Sequence, residues 1–244
     1  SRRARWVPRT CRADCAAFAG AMSNVRMWNK AVSPAYRDVA ETNILDLDSE
    51  HLVASFRTVS NRDGVVPNAA IATHRANDLQ LINVLLMSDG DQPGGYADST
   101  PSAFYFENNE TYIVVAEVDS PRQPLMPEDG SMTFEAWIKP NMSEGGDGEV
   151  LAMMGIGGWT LSMSCDANGT TGCCSDAAAK ALAFHIGDNS TKNSSGWYPS
   201  CSATSDTGVE RGEWSHVAVR VYAVGNFLAV DFFIDGDNAG STTN

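Results

Sequence analysis

Carboxylates that project from one face of a strand can act together as acid and nucleophile on a glycosidic bond. Such catalysis on a β-strand needs glutamates and an aspartate spaced as Glu-x-Asp-x-Glu. The nearest run here, Asp231 to Asp235, contains no glutamate. Asp235 is followed by Gly236, and this dipeptide is typical of a hairpin turn. We therefore expect no glycoside hydrolase, and no enzyme.

Other catalytic patterns are also missing. The sequence has no Gly-x-Ser-x-Gly, His-Glu-x-x-His, Walker or Rossmann motif. The four histidines are dispersed along the chain: His51, His74, His185 and His216.

Calcium is the one cofactor for which the sequence offers candidates. Calcium takes oxygen ligands that separate loops can supply, so no linear motif is required. The weak candidates are Asp89, Asp91 and Asp98. They do not form an EF-hand, since Thr100 occupies the twelfth position. Ordinary acidic turn residues are the alternative, and we assign no metal ligand.

The cysteines predict disulfides rather than a metal site. They are even in number and lack the paired Cys-x-x-Cys spacing of zinc ligands. They form two groups, Cys11 with Cys15, and Cys165, Cys173, Cys174 and Cys201. The adjacent pair rarely bonds to itself, so two connectivities stay open in the second group, in which Cys165 and Cys201 exchange partners.

Sequons for N-glycosylation accompany these cysteines. Five Asn-x-Ser/Thr sequences occur, at Asn109, Asn141, Asn168, Asn189 and Asn193. Because disulfides and N-glycans both belong to the secretory route, the sequence predicts an extracellular glycoprotein, either secreted or at the cell surface.

Composition and charge exclude several classes of protein. With 43% hydrophobic and 19% charged residues among 244, the chain is that of a folded protein. A net charge of −13 repels phosphate backbones, so nucleic acid is not an expected partner. The longest apolar runs, such as Val84 to Met87, fall far short of the roughly 18 residues of a membrane span.

Short alternating runs bounded by turn residues dominate the chain from Leu52 onward, which predicts antiparallel strands. One short helix is expected at 35–42, with Ser33 as its N-cap and Pro34 in its first turn. The Gly-, Ser- and Asn-rich stretch near 165–208 is expected to be a Cys-rich loop insertion. We predict strands at 52–56, 79–85, 103–106, 112–118, 132–139, 150–154, 159–163, 182–186, 216–223 and 227–235.

An ordered set of motifs resembles the laminin G-like domains, which are concanavalin A-like, pentraxin-related jelly rolls. Met132–Pro140 is similar to the family's F-x-x-E-A-W-V-K-P strand, and Glu213–Val219 to its W-H-H-V-A strand. Asn108 and Ser55 depart from the family pattern, which has a glycine and an aromatic residue there. Further similar segments are Leu52–Phe56, Phe104–Phe106, Tyr112–Val114, Trp159–Leu161 and Phe233–Gly236. The resemblance implies an all-β antiparallel sandwich. It also implies that His216 is a structural imidazole and not a catalytic base, because the family uses this strand motif for packing.

The family's closing motif stands at the front of this chain, as Phe18–Ser33. Two alternatives follow for residues 1–45. They are the tail of a preceding laminin G-like repeat, or an early strand that completes the same sheet as the domain at 46–244.

The resemblance implies a non-catalytic extracellular module that binds glycan or protein partners in adhesion or recognition. The alternative is a glycosylated structural repeat of an extracellular fibre, matrix or cell-surface filament, whose partners are neighbouring repeats.

Overall fold

The protein is all-β in the part of the chain that the structure, a computed structural model, describes. The described residues are 18–32, 51–56, 65–70, 78–87, 103–107, 112–115, 131–141, 149–153, 159–164, 180–187 and 200–243. They form no helix, and the helix predicted at 35–42 lies outside them. The strands are β1 (Gly20–Trp28), β2 (Leu52–Phe56), β3 (Val65–Val66), β4 (Leu79–Ile82), β5 (Leu85–Met87), β6 (Ala103–Phe106), β7 (Tyr112–Val115), β8 (Met132–Pro140), β9 (Glu149–Met153), β10 (Trp159–Ser164), β11 (Lys180–Gly187), β12 (Ser200–Val209), β13 (Ser215–Val224), β14 (Phe227–Ile234) and β15 (Asp237–Thr243).

These strands form three antiparallel sheets. The largest has eight strands in the order β15-β14-β13-β8-β1-β6-β5, and β2 also pairs with β1. A four-stranded sheet has the order β12-β11-β10-β9, and β3-β4-β7 make a third. The predicted antiparallel sandwich is confirmed.

Strict alternation of side chains builds the core between the two larger sheets. On β8 the residues Met132, Phe134, Ala136 and Ile138 face the core. Residues of the four-stranded sheet belong to the same cluster, and Trp159 lies between two rings, with its centroid 6.0 Å from that of Phe134 and 5.9 Å from that of Phe184. One continuous core therefore joins the sheets.

Turn residues set the strand boundaries. Asp235 and Gly236 both have positive φ, 48° and 87°, as a type I′ hairpin turn requires, and they join β14 to β15. The run predicted as one strand over 79–85 is two strands. Asn83, with φ of 55°, separates β4 from β5, and these enter different sheets.

The region near 165–208 holds more regular structure than a loop insertion. Strand β12 runs through Ser200–Val209 and pairs with β11. Its small polar residues hide the alternation in the sequence: Ser205 is completely buried and its hydroxyl accepts a hydrogen bond from the Leu182 N–H at 2.8 Å. A serine can be buried in a sheet when its hydroxyl is hydrogen-bonded. Such a residue breaks the apolar alternation in the sequence, so the strand is hard to predict.

Strand β1 lies in the middle of the eight-stranded sheet. On one side it pairs with β8, and on the other with β6 along its first half and β2 along its second. This is the arrangement of the second alternative for residues 1–45, in which the early strand completes the same sheet. A domain boundary at residue 45 stays a prediction, because it lies outside the described residues.

Candidate functional site

The side of the eight-stranded sheet that faces away from the core, called the outer face below, collects the polar and aromatic residues of its strands. Alternation places Glu135, Trp137 and Lys139 of β8 there, since Phe134, Ala136 and Ile138 face the core. By register, His216 on β13 lies beside Trp137, and Arg220 lies beside Asp231 of β14.

A bulge in β1 brings a basic residue onto this face. Ser23 pairs with Trp137 and Arg26 with Glu135, so three steps along β1 match two along β8. The extra residue is accommodated at Asn24, whose φ is 48°, a left-handed conformation that asparagine tolerates better than most residues. Without the bulge, Ser23 and Arg26 would point to opposite faces. The bulge therefore aims Arg26 at Glu135.

Glu135 is held between two basic groups. Arg26 Nη1 donates a hydrogen bond to Glu135 Oε1 at 2.9 Å, and His216 Nε2 lies 3.5 Å from Glu135 Oε2. The side chains of Arg26 and Glu135 are only 11% and 10% exposed. Burial raises the pKa of Glu135, but hydrogen bonds and positive charge from His216 and Arg26 outweigh it, and the pKa lies below its ordinary value. The carboxylate is therefore ionised at neutral pH.

The imidazole of His216 is fixed from several sides. Its ring meets that of Trp137 edge to face, with centroids 5.3 Å apart. Its backbone N–H donates to Asp235 Oδ1 at 2.7 Å. Its Nδ1 is buried and finds no hydrogen-bond partner in the described part of the chain. These contacts hold the imidazole in place, and its structural role stays a prediction.

A second ion pair lies on the same face. Arg220 donates from both Nε and Nη2 to Asp231 Oδ2, and the Nε distance is 3.0 Å. The guanidinium carbon lies 5.1 Å from the centroid of the Tyr222 ring and 5.6 Å from that of Phe233. Stacking on aromatic rings and a carboxylate together satisfy the arginine.

Near the Pro140 end of the sheet the outer face is partly accessible. Trp137 and Lys139 of β8, the Trp137 patch, are half-buried. On the other side of β1, Tyr105 is half-buried and its register partner Leu85 is 53% exposed; these two are the Tyr105 patch. Between the patches β1 carries only the small residues Ala21 and Ser23, so both patches project beyond the central strand.

Among the described residues, the buried carboxylates are Glu135 and Asp231. Glu135 and Asp231 lie two strands and one outer-face row apart, which puts their Cα atoms about 12 Å from each other by strand spacing and rise. Each carboxylate is paired with its own arginine.

The residues singled out from the sequence have separate positions. Asp231 pairs with Arg220, while Asp235 is an exposed turn residue that accepts from the His216 N–H, so the two aspartates do not act together. His185 lies on β11 of the other large sheet, and burial lowers its pKa. His51 lies 3.2 Å from Asn29 Oδ1 through its Nδ1. Cys201 lies on β12, paired with Ile186.

Many predicted site residues fall outside the described residues. They are His74, the calcium candidates Asp89, Asp91 and Asp98, the sequons Asn109, Asn168, Asn189 and Asn193, and Cys11, Cys15, Cys165, Cys173 and Cys174. Within the described ranges no three His, Cys, Asp or Glu side chains come close enough to hold a metal ion. The same ranges contain no helix long and apolar enough to cross a membrane.

Sequence reasoning did not identify Arg26 and Glu135 as a pair. A signal existed for Glu135, because an acid among Phe134, Ala136 and Ile138 needs a partner on the opposite face. No signal identified Arg26 as that partner, since it lies 109 residues away and the bulge reverses its expected face.

The fold and this face define a β-sandwich domain in which Glu135 and Asp231 are each paired with an arginine. Comparison with known families agrees with that class: the laminin G-like model described as the concanavalin A-like lectin/glucanases superfamily matches residues 108–244, more than half of the chain. The chain therefore belongs to this superfamily. No curated protein and no solved structure matches the chain.

Proposed function

We propose that this chain is a non-catalytic extracellular module that binds a neutral glycan at the Trp137 patch. The observation that carries the proposal is the neutralisation of Glu135 by Arg26 and of Asp231 by Arg220 beside a half-buried tryptophan. Paired charges have little attraction left for an ionic ligand. An indole ring beside fixed polar groups suits the apolar C–H face of a sugar.

The superfamily supports the same class of ligand, since it contains carbohydrate-binding proteins as well as glucanases. The proposed absence of catalysis is supported by the pairing of both carboxylates with arginines and by the lowered pKa of Glu135. The extracellular location is supported by the even number of cysteines and the five sequons.

A glycan array probed with the purified chain tests the proposal, once with calcium and once with a chelator. We expect saturable binding that is lost in Trp137→Ala and retained in Phe227→Ala. Phe227 is the matched control because it is an exposed aromatic residue at the opposite end of the sheet. Circular dichroism confirms that both variants are folded. Binding that survives Trp137→Ala would overturn the assignment to this patch, and loss with chelator would add a metal.

The structural-repeat alternative is favoured by a different observation. The β13–β14 hairpin ends in two exposed apolar residues, Val224 at 45% and Phe227 at 58% exposure, and no charge occurs from Tyr222 to Ala229. Such a tip suits burial against a neighbouring repeat. A blank glycan array together with self-association that is lost in Val224→Ser/Phe227→Ser would support this alternative. Light scattering at increasing concentration measures it.

A further inference from the structure

Asn141 is the one sequon asparagine in the described part of the chain, and the structure fixes its backbone. It follows β8 directly and opens the sequence Asn141-Met142-Ser143. Its N–H donates to the Ala19 carbonyl at 2.9 Å, and its carbonyl accepts from Arg211 Nη1 at 2.7 Å. The main chain of Asn141 is thus held in place at the end of β8.

The side-chain amide keeps one N–H beyond its present hydrogen bond. Asn141 is half-buried, and its Nδ2 donates to the Tyr105 hydroxyl at 3.3 Å. This distance is at the long end for a hydrogen bond. A primary amide has two N–H groups, and N-glycosylation replaces one of them. The bond to Tyr105 can therefore persist when a sugar is attached.

An apolar surface lies where that sugar would go. The amide points to the Tyr105 hydroxyl, and Tyr105 pairs in register with Leu85, which is 53% exposed. A pyranose presents C–H groups on one face, which can cover an aromatic ring and a neighbouring aliphatic side chain. The Trp137 patch lies on the other side of β1 from the Tyr105 patch.

We propose that Asn141 carries an N-linked glycan whose first sugar packs over the Tyr105 patch. The transfer forms a bond between Asn141 Nδ2 and the anomeric carbon of an oligosaccharide. The donor is a lipid diphosphate oligosaccharide; its anomeric C–O bond breaks, the diphosphate lipid leaves, and the amide proton goes to a base of the transferring enzyme. This inference rests on the extracellular part of the proposed function.

The first test measures occupancy. The chain is expressed behind a heterologous signal peptide in eukaryotic cells, and the peptide that contains Asn141 is analysed by mass spectrometry before and after enzymatic deglycosylation. We expect a glycopeptide that disappears in Ser143→Ala, a variant that destroys the sequon and leaves the Asn141 amide intact. Unmodified Asn141 in the secreted, folded chain would overturn the proposal. Because the added signal directs secretion in any case, that result is independent of the native location of the protein.

The second test measures packing. The test uses a chain in which Asn141 is the only sequon left. Enzymatic removal of the glycan should lower the Tm of this chain. The decrease in Tm should vanish in Leu85→Ser and shrink in Tyr105→Phe. Leu228→Ser, a partly buried apolar site at the other end of the sheet, is the control and should keep the full decrease. An equal decrease in all variants would show that the glycan does not pack on the Tyr105 patch.

Discussion

The two ion pairs of the outer face have the same chemistry and different origins. Arg26 and Glu135 lie 109 residues apart, on β1 and β8, and meet only because a bulge reverses the face of Arg26. Arg220 and Asp231 lie 11 residues apart in one hairpin, where register alone brings them together.

Their surroundings differ as well. Both members of the first pair are about equally buried, and Glu135 also faces His216. In the second pair Asp231 is buried but the arginine side chain is 22% exposed and stacks on Tyr222 and Phe233. The geometry of the local pair, Arg220 and Asp231, depends little on the rest of the fold. The geometry of the long-range pair, Arg26 and Glu135, depends on the whole sheet.

The largest expected effect comes from Glu135→Gln. This change removes the carboxylate that accepts from Arg26 Nη1 while the guanidinium stays charged and buried, so the free energy of unfolding should fall by about 3 kcal/mol. Urea unfolding followed by tryptophan fluorescence measures it. Glu210→Gln, at an exposed carboxylate, is the control and should change stability by less than about 0.5 kcal/mol. If the free energy of unfolding fell by less than about 1 kcal/mol in Glu135→Gln, the Arg26–Glu135 pair would not stabilise the sheet as argued.

Asp231→Asn is the matched change in the local pair. It should lower the free energy of unfolding by less, about 1 to 2 kcal/mol. Arg220 keeps its two aromatic neighbours and reaches solvent, so it is not left isolated. The same urea experiment measures the difference. If Asp231→Asn proved more harmful than Glu135→Gln, exposure of the arginine would not be what separates the two pairs.

Asn24→Val tests the bulge. It should lower the free energy of unfolding by about 1 kcal/mol, because a β-branched residue is strained at a φ of 48°. Asn24→Gly, which adopts this φ freely, is the control. The valine change should couple to Glu135→Gln and should be additive with Asp231→Asn within about 0.5 kcal/mol. Coupling to both variants, measured by double-mutant cycles, would mean that the bulge supports the sheet generally rather than the first pair.

Acidification should gradually remove the contribution of Glu135 to the free energy of unfolding. Its folded pKa is lowered, so its stabilisation is complete above the unfolded value of about 4.3 and is lost as the pH falls through the folded pKa. The stability difference between the natural chain and Glu135→Gln should therefore narrow as the pH is lowered below about 4.3. Unfolding curves at several pH values measure it, and a difference that widens in acid would show the opposite sign of pKa shift.

The contrast between the local pair and the long-range pair also explains which features could be predicted from the sequence. Strands with clear period-two patterns, such as those at 132–139 and 216–223, and the Asp235-Gly236 turn were predictable because each signal is local. So was the shared face of His216 and Arg220. Strand β12 was hard to predict because its buried residues include a serine, Ser205. The bulge at Asn24 has no periodic signal, and so Arg26 could not be assigned to Glu135.

The central position of β1 also has a consequence for biosynthesis. A ribosome adds Arg26 109 residues before it adds Glu135, the partner of Arg26 on β8. At about 5 to 20 residues per second, the delay is roughly 5 to 20 s. Throughout it Met22, Val25 and Met27, all buried in the final core, have no β8 to pair with. The nascent strand is therefore a natural client for chaperones until β8 emerges.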